Sequence, residues 1–240
     1  MRIIKPSIVL VKPQLPENIG LVARAMDNCG LKNLILVNPR EKWPNDSSIK
    51  ASANSKSIVQ NAKIYTSVED ALLNFHFVIG MSARKRFLQK PYQNNISQLF
   101  EQFPNNKRTA MLFGPENSGL SNQDLKLVDL IFHINTSKSN PSLNLSHAVL
   151  LISFAWREFF NLRKIQPKSN QLNNKKALKK DFYYFMDFLK KELEDVGFLY
   201  PKAKAKSMLE NIETMFIRSS LSKTEIQTLW GMIKKLRKHG

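Results

Sequence analysis

The sequence predicts an α/β protein in which strands and helices alternate over the first 160 residues and only helices follow. Short apolar runs of the β type recur along this part of the chain, helix-like stretches lie between them, and polar turns follow three of the runs. Strands that alternate with helices pack as a parallel sheet with helices on both faces. The predicted strands are Ile8–Val11, Leu34–Val37, Phe77–Ile79, Ala110–Phe113 and Ile131–Ile134, with a weaker one near Ile64.

The first helix is predicted from its apolar spacing and from its end. Its apolar residues recur three and four positions apart, which places them on one face of a helix. Gly30 follows at the point where helices commonly end in a left-handed residue, a conformation that glycine adopts without strain. The apolar residues of this face are Ile19, Val22, Ala23 and Met26.

Two further helices are predicted from their starting residues and apolar content. Ser121 and Asp124 stand three positions apart, as in a capping box with Asp in place of Glu, so a helix is expected to begin there. A longer helix is expected from about Leu145 to Asn161, because its apolar residues continue over several turns.

The chain changes character after residue 163. Residues 164–180 are poor in apolar residues and rich in Asn, Gln and Lys, which is typical of a linker. Beyond them apolar residues again recur at helical spacing, and Ser222 with Glu225 forms a second capping-box pattern. We therefore expect an α/β domain over residues 1–163, a linker over residues 164–180 and a module of about three helices over residues 181–240.

The charge of the chain indicates a polyanionic partner. Lys and Arg total 37 against 19 acidic residues, a net charge of +18, and such an excess attracts nucleic acid. A Lys-rich surface kept for solubility alone is the alternative. No apolar run is long enough to span a membrane, and a basic helix with an apolar membrane-binding face is not evident, so a cytoplasmic protein without a membrane partner is expected.

Several kinds of catalytic site are excluded by the residues present. Cys29 is the single cysteine, and the four histidines are scattered, so no cluster has the spacing of a metal site. No phosphate loop, dinucleotide glycine motif or nucleophile elbow occurs. The polar turns instead offer Asn, Ser and Gly with one Arg and one Glu, groups that orient a polar ligand without covalent or metal catalysis.

Three motifs carry a resemblance to a known family. They are Asn-Ile-Gly-x-x-Ala-Arg-Ala-Met from Asn18, Phe-Gly-x-Glu-x-x-Gly-Leu from Phe113, and Ser-Leu-Asn-Leu-Ser from Ser142. In this order, each at a predicted strand end, they resemble the signature motifs of the SPOUT (TrmH-like) RNA methyltransferases. Among these, the chain is most similar to the bacterial TrmJ-type tRNA ribose 2′-O-methyltransferases, and the likeness extends more weakly into the helical tail.

The resemblance implies a fold, a cofactor, an assembly and a reaction. The fold is a parallel sheet whose C-terminal part forms a trefoil knot, an exception to the usual unknotted topology. The cofactor is S-adenosylmethionine, with S-adenosylhomocysteine as product and no metal, and the assembly is a homodimer. The reaction is 2′-O-ribose methylation of tRNA at position 32 in the anticodon loop.

The resemblance also implies which residues bind the cofactor and the RNA. The positions that match the cofactor-binding residues of the family are Met81, Ser82, Ala83, Gly114, Ile134, Pro141, Ser142 and Leu143. Gly114 lets the backbone approach a ligand closely, although a turn glycine with positive φ is the structural alternative. The cations that follow the cofactor loop suit a phosphate-binding strip, with a solvated loop as the alternative. They are Arg84, Lys85 and Arg86.

Arg24 is the residue that the resemblance places beside the ribose 2′-hydroxyl and its phosphate. Because a guanidinium stays protonated and is a poor base, we expect it to orient the substrate and stabilise the developing alkoxide. The other catalytic candidates by resemblance are Asn18, Glu116, Ser142 and Asn144. Each has a structural alternative: a helix cap for the two asparagines, a loop carboxylate for the glutamate and a turn hydroxyl for the serine.

One departure from the family pattern leaves the methylated nucleotide open. Pro115 stands where close TrmJ relatives often carry Arg, and Phe-Gly-Pro-Glu also occurs in subfamilies that methylate a different anticodon-loop ribose. The same chemistry on another tRNA position or on ribosomal RNA is therefore an alternative. A noncatalytic RNA-binding or assembly factor is the alternative of another class.

Overall fold

The structure, a computed structural model, describes residues 4–82, 90–104, 106–137, 139–163 and 176–237. The described residues form two compact units. We call them the sheet unit, which contains most of the chain up to residue 163, and the helical unit, which contains residues 176–237.

Within the described residues, the sheet unit contains one sheet of seven parallel strands in the order β3-β2-β1-β6-β4-β7-β5. The strands are β1 Ser7–Val11, β2 Leu34–Val37, β3 Lys63–Tyr65, β4 Phe77–Met81, β5 Tyr92–Gln93, β6 Thr109–Phe113 and β7 Leu130–Phe132. The central strands are buried along their whole length, as expected for a parallel sheet covered on both faces.

All six predicted strands are confirmed, and their bounds differ by a few residues. The predicted run to Ile134 is too long, because β7 ends at Phe132 and the chain then enters the loop that leads to the next helix. The edge strand β5 was not predicted. It has two residues, and one of them is a glutamine, so it carries no apolar run.

The helices of the sheet unit lie in the connections between strands. They are α1 Pro16–Asn28, α2 Asp46–Ala51, α3 Lys56–Gln60, α4 Val68–Leu72, α5 Ile96–Glu101, α6 Asn122–Lys126 and α7 Leu145–Arg163. The three helices expected from spacing and capping are confirmed as α1, α6 and α7. At the start of α6 the Ser121 side chain accepts from the Asp124 N–H, and the Asp124 carboxylate accepts from the Ser121 N–H, a complete capping box.

Helix α1 is held between the sheet, α2 and α7. It begins with Pro16, whose missing N–H is tolerated in the first turn, and ends before Gly30, which has a φ of +73°. Gly20 allows α1 to touch the next helix, because an added Cβ would lie 2.3 Å from the Ser48 carbonyl oxygen. The buried face of α1 joins the main core.

The strand order brings four loops to one edge of the sheet. Strands β1, β6, β4 and β7 are neighbours and run in the same direction, so the loops that leave their carboxyl ends lie side by side. Ligands of open α/β sheets bind at this edge. The trefoil knot implied by the resemblance stays a prediction.

The helical unit confirms the prediction of about three helices. They are α8 Lys179–Asp195, α9 Lys202–Ser219 and α10 Lys223–Arg237. The predicted capping box before α10 is present, since the Ser222 N–H donates to the Glu225 carboxylate and the Glu225 N–H to the Ser222 hydroxyl. The Ala177 N–H donates to the Leu221 carbonyl, so the last residues of the predicted linker belong to this unit. The core residues are Ala177, Phe182, Phe185, Leu189, Ile217 and Ile226.

Candidate active site

A cavity of about 230 Å³ lies at the carboxyl edge of the sheet, among the loops that follow β4, β6 and β7 and the first turn of α7. Every predicted cofactor contact among the described residues lines it. These residues are Met81, Ser82, Gly114, Ile134, Pro141, Ser142 and Leu143. Ala83 and the predicted phosphate strip of Arg84, Lys85 and Arg86 lie outside the described residues.

The loop after β6 folds tightly on itself at one wall of the cavity. A Cβ on Gly114 would lie 2.2 Å from the carbonyl carbon of Gly119 and 2.2 Å from the Leu120 nitrogen, a distance that backbone atoms cannot accept. Gly119 itself has a φ of +68°, in the left-handed region that favours glycine. The two glycines of the second motif are therefore required by the backbone of this loop.

The loop after β7 is tied to the end of β4. The Ser82 N–H donates to the Phe132 carbonyl at 3.0 Å, and His133 Nδ1 lies 2.9 Å from the Ser82 carbonyl oxygen. The Thr136 hydroxyl donates to the Pro141 carbonyl at 3.0 Å and so closes the turn that carries Ser142. These bonds hold two walls of the cavity at fixed positions.

Glu116 joins the first and second motifs. Its carboxylate accepts from the Gln14 N–H at 2.9 Å and from the Asn18 side-chain amide at 2.9 Å. Asn18 lies in the first turn of α1, and Gln14 lies two residues before the helix begins. The helix dipole also favours a negative charge at this end of α1. Glu116 therefore lines the cavity and also anchors the start of α1.

Asn18 and Asn144 extend this network to the third motif. The Asn144 side-chain amide donates to the Asn18 side-chain oxygen at 3.4 Å, a long contact, while the Asn144 oxygen accepts from the Ser146 N–H at 2.9 Å and caps α7. Asn18 is buried inside α1, so the helix-cap alternative is wrong for Asn18, and the cap is observed for Asn144. All three motifs are thus joined by side-chain hydrogen bonds.

Arg24 lies on the exposed face of α1 and does not line the cavity. Its guanidinium has no hydrogen-bond or ion-pair partner in the described parts of the chain. The side-chain hydrogen bonds of Asn18 run to Glu116 and Asn144 and not to Arg24. Among the described residues, Arg24 is therefore outside the hydrogen-bond network that joins Asn18, Glu116 and Asn144.

The cavity suits a cofactor with a planar apolar ring and polar groups. Its walls include Leu120, Ile134 and Leu143, and the loops that line it also carry backbone N–H and C=O groups. Among the described residues no group of His, Cys, Asp and Glu could hold a metal ion.

Sequence reasoning missed two residues that shape this site, Gln14 and Thr136. Gln14 supplies a backbone N–H, which no side-chain pattern reveals. Thr136 lies in the loop after β7 between Ile134 and Pro141, two predicted cofactor contacts, so its position in the sequence could have indicated that it lines the cavity.

None of the helices in the described ranges is long and apolar enough to cross a membrane.

Comparison with known proteins decides the family. The sequence profile of the SpoU rRNA Methylase family matches residues 5–154. This chain belongs to the SpoU methylase family. A second profile, the C-terminal domain of the tRNA methyltransferase TrmJ, matches residues 180–239 in the helical unit.

Individual relatives of this SpoU methylase agree with that assignment. It is 31% identical over 233 residues to the tRNA (cytidine/uridine-2′-O-)-methyltransferase TrmJ of Photorhabdus laumondii, with 96% of each chain covered. The crystal structure of TrmJ from Z. mobilis ZM4 is 31% identical and has a TM-score of 0.84, covering 98% of this chain and 100% of that one. The resemblance stated from the three motifs is confirmed, and so is the α/β fold with its helical tail.

A more distant SpoU methyltransferase shares the fold alone. AviRb from Streptomyces viridochromogenes, solved in complex with the cofactor AdoMet, is 21% identical and has a TM-score of 0.53, covering 69% of this chain and 63% of that one.

Proposed function

We propose that this protein is an S-adenosylmethionine-dependent methyltransferase of the cytoplasm that methylates a ribose 2′-hydroxyl of tRNA, at position 32 in the anticodon loop. The observation that carries the proposal is a cavity lined by the second and third motifs, to which hydrogen bonds join the first motif, since Glu116 accepts from Asn18 and Asn144 donates to Asn18. The TrmJ relatives, which are named for this chemistry on tRNA, support the choice of substrate.

S-adenosylmethionine, when bound, would supply a sulfonium methyl group for transfer to the ribose oxygen. The loops of the sheet unit hold the donor in place, with apolar walls at Leu120 and Leu143 and backbone groups around Gly114. Ser142 and Asn144 lie on the same loop and position the ribose against it. The proton of the 2′-hydroxyl leaves to the neighbouring phosphate or to water.

Arg24 stabilises the oxygen that becomes negative during this transfer. Its guanidinium is exposed and unpaired within the described residues, so it is available to a phosphate and a developing alkoxide. Because Arg24 does not line the cavity of its own subunit, we propose that it acts at the cavity of a partner subunit.

A homodimer is supported by an apolar stripe on α7 and α1. On α7, Leu151 is 47% and Phe154 is 53% exposed, and Leu150 is exposed beside them. On α1, Leu21 is exposed and stands one turn before Arg24. A second copy that covered this stripe would bury large apolar side chains and would bring Arg24 to the subunit boundary.

The helical unit supplies a surface for the RNA. In the loop between α8 and α9, Phe198 is 52% and Tyr200 is 79% exposed, while Leu199 between them is buried and anchors the loop. The exposed side chains of Lys202 and Lys204 follow directly. Exposed aromatic rings beside cations suit unpaired bases and their phosphates, so this loop is the proposed contact with tRNA.

The test is transfer of a radiolabelled methyl group from S-adenosylmethionine by the full chain to bulk tRNA, ribosomal RNA or no RNA. Label in tRNA alone, mapped by mass spectrometry to the 2′-oxygen at position 32, is the expected result. Label in another tRNA nucleotide or in ribosomal RNA would move the substrate to one of the alternatives. Tight RNA binding without any label, and without bound S-adenosylmethionine in calorimetry, would contradict the proposal in favour of a noncatalytic RNA-binding factor.

A further inference from the structure

A second and larger cavity lies at the opposite edge of the sheet. It has a volume of about 570 Å³ and is lined where the strands begin, by Ser7 of β1, Leu34 of β2, Lys63 of β3 and Thr109 of β6. Strand β1 has five residues, so at about 3.3 Å per residue the two edges lie on the order of 15 Å apart. The second cavity is therefore separate from the candidate active site, and it shares no lining residue with it.

The floor of this cavity is apolar and buried. Ile35 of β2, Ile58 of α3 and Phe75 beyond α4 contribute to it, and each is at most 6% exposed. Ligand pockets commonly have roughly 300–1,000 Å³ with apolar walls and a few polar groups. The volume and the apolar residues of this cavity therefore suit a small ligand with an apolar part.

The residues around the floor are positively charged. Lys5, Lys32, Lys63 and Arg108 all line the cavity, and none of its lining residues within the described chain is acidic. Lysine and arginine side chains repel one another when they surround one space without a carboxylate, so an anion between them is favoured.

Two of these cations have partners and two do not. The Lys5 ammonium donates to the Gly30 carbonyl at 2.7 Å, and Lys32 pairs with Asp27, whose pKa is held below its ordinary value by hydrogen bonds from Lys32 and Ser55. Across the described ranges, the side chains of Lys63 and Arg108 have no hydrogen-bond or ion-pair partner. They are the cations available to a ligand.

Amide side chains complete the polar part of the lining. Asn33, Asn61 and Asn74 line the cavity and are exposed, and Asn61 donates to the Ser57 carbonyl at 2.7 Å. Each side-chain amide offers both a donor and an acceptor, which suits the edge of a nucleobase as well as a phosphate oxygen. An apolar floor with amides and cations around it differs from a convex lysine surface kept for solubility.

We propose that this cavity binds a nucleotide, free or as part of an RNA chain. The phosphate is held by Lys63 and Arg108, and the base lies against Ile58 and Phe75. The site is independent of methyl transfer, since it lies at the amino edge of the sheet.

The experiment is a titration of the full-length 15N-labelled protein, without methyl donor, with inorganic phosphate, cytidine monophosphate or a short oligocytidylate, followed by amide chemical shifts. The expected result is a set of shifts at Lys63, Ala71 and Thr109 that saturates, with cytidine monophosphate binding more tightly than phosphate. Tighter binding of the oligocytidylate than of the mononucleotide assigns the site to RNA, and equal binding assigns it to free nucleotides.

The matched variants reverse two charges each. Lys63→Glu with Arg108→Glu should weaken binding at least about tenfold, since the double variant loses both charge-assisted contacts to the phosphate. Lys42→Glu with Lys50→Glu changes the net charge equally at exposed positions outside the lining and should leave binding within about twofold, as expected for distant surface charges. No shifts at the cavity, equal loss in both double variants, or phosphate binding as tightly as cytidine monophosphate would overturn the proposal.

Discussion

At the scale of single residues, Arg24 raises the sharpest question, because its guanidinium is exposed and has no partner in the described chain. We predict that Arg24→Ala lowers kcat for tRNA methylation by roughly 10²–10³-fold, the usual cost of removing one group that stabilises a developing oxyanion. Arg24→Lys should recover little of this, because an ammonium does not reproduce the planar fork of the guanidinium. Single-turnover methyl transfer measures the loss.

The matched control for Arg24 is Arg157→Ala. Arg157 is also half-exposed on a helix of the sheet unit, and it donates to the Asn28 carbonyl at 2.9 Å. Cofactor affinity, measured by calorimetry, should stay within about twofold of the unchanged protein in both variants, because neither residue lines the cavity. Turnover retained in Arg24→Ala would show that the arginine has no part in the reaction.

Gly114 gives a second prediction at this scale. The loop after β6 leaves no space for a Cβ at this position, which would lie 2.2 Å from two backbone atoms. Gly114→Ala must therefore displace the loop, and we expect S-adenosylmethionine to bind at least about tenfold more weakly, a loss of about 1.4 kcal/mol. Calorimetry measures the dissociation constant.

The control for Gly114 is Gly231→Ala in α10, where an added Cβ meets nothing within 4 Å. Alanine in an exposed helix interior is favoured over glycine by up to about 1 kcal/mol, so this variant should keep cofactor affinity and unfold at a slightly higher temperature. An unchanged dissociation constant in Gly114→Ala would mean that the close turn of this loop has no part in binding.

At the scale of elements, the sequence was informative wherever a pattern repeats inside one element. The central strands are predicted by apolar runs, since both of their faces are buried. Helix α6 is predicted by its capping box, which the structure contains. Strand β5 was missed because its two residues, Tyr92 and Gln93, form no apolar run in the sequence. Only their pairing with β7 makes them a strand.

The candidate site was predictable only in part, for a related reason. The motifs identify Asn18, Glu116 and Asn144 as candidates. In the folded chain, however, Asn18 bonds to Glu116, which is 98 positions away, and to Asn144, which is 126 positions away. Which of them meet depends on the strand order β1-β6-β4-β7. The Gln14 N–H, a backbone donor to Glu116, carries no residue signature at all.

Helix α7 carries the prediction that belongs to this scale. Leu151 and Phe154 are about half exposed on one face, so their burial against a second copy would stabilise the assembly by several kcal/mol at about 25 cal/mol per Å². Leu151→Glu with Phe154→Glu should therefore shift the protein from dimer to monomer in sedimentation experiments and abolish methylation. Ile64→Glu, a change at another exposed apolar residue, should leave the dimer intact. A dimer that persists in the double variant would place the subunit boundary elsewhere.

At the scale of the whole molecule, the sheet unit and the helical unit carry different parts of the proposed task. The sheet unit holds the cavity and the three motifs, and the helical unit holds the exposed aromatic loop between α8 and α9. The net charge of +18 adds a sequence-independent attraction to RNA, which weakens as salt is raised. A change in the loop should therefore affect the RNA substrate and leave the cofactor alone.

The last prediction follows from this division. Tyr200→Ala with Lys202→Ala should raise KM for tRNA about tenfold, since stacking on one base contributes roughly 1–3 kcal/mol, while S-adenosylmethionine affinity stays unchanged. Tyr184→Ala is the matched control, because Tyr184 is 62% exposed in the same unit but lies on α8, away from this loop in sequence. Deleting residues 164–240 should produce a larger loss of tRNA methylation, with cofactor binding as the check that the sheet unit is folded. If both the double variant and the deletion kept full activity on tRNA, the sheet unit alone would hold the substrate.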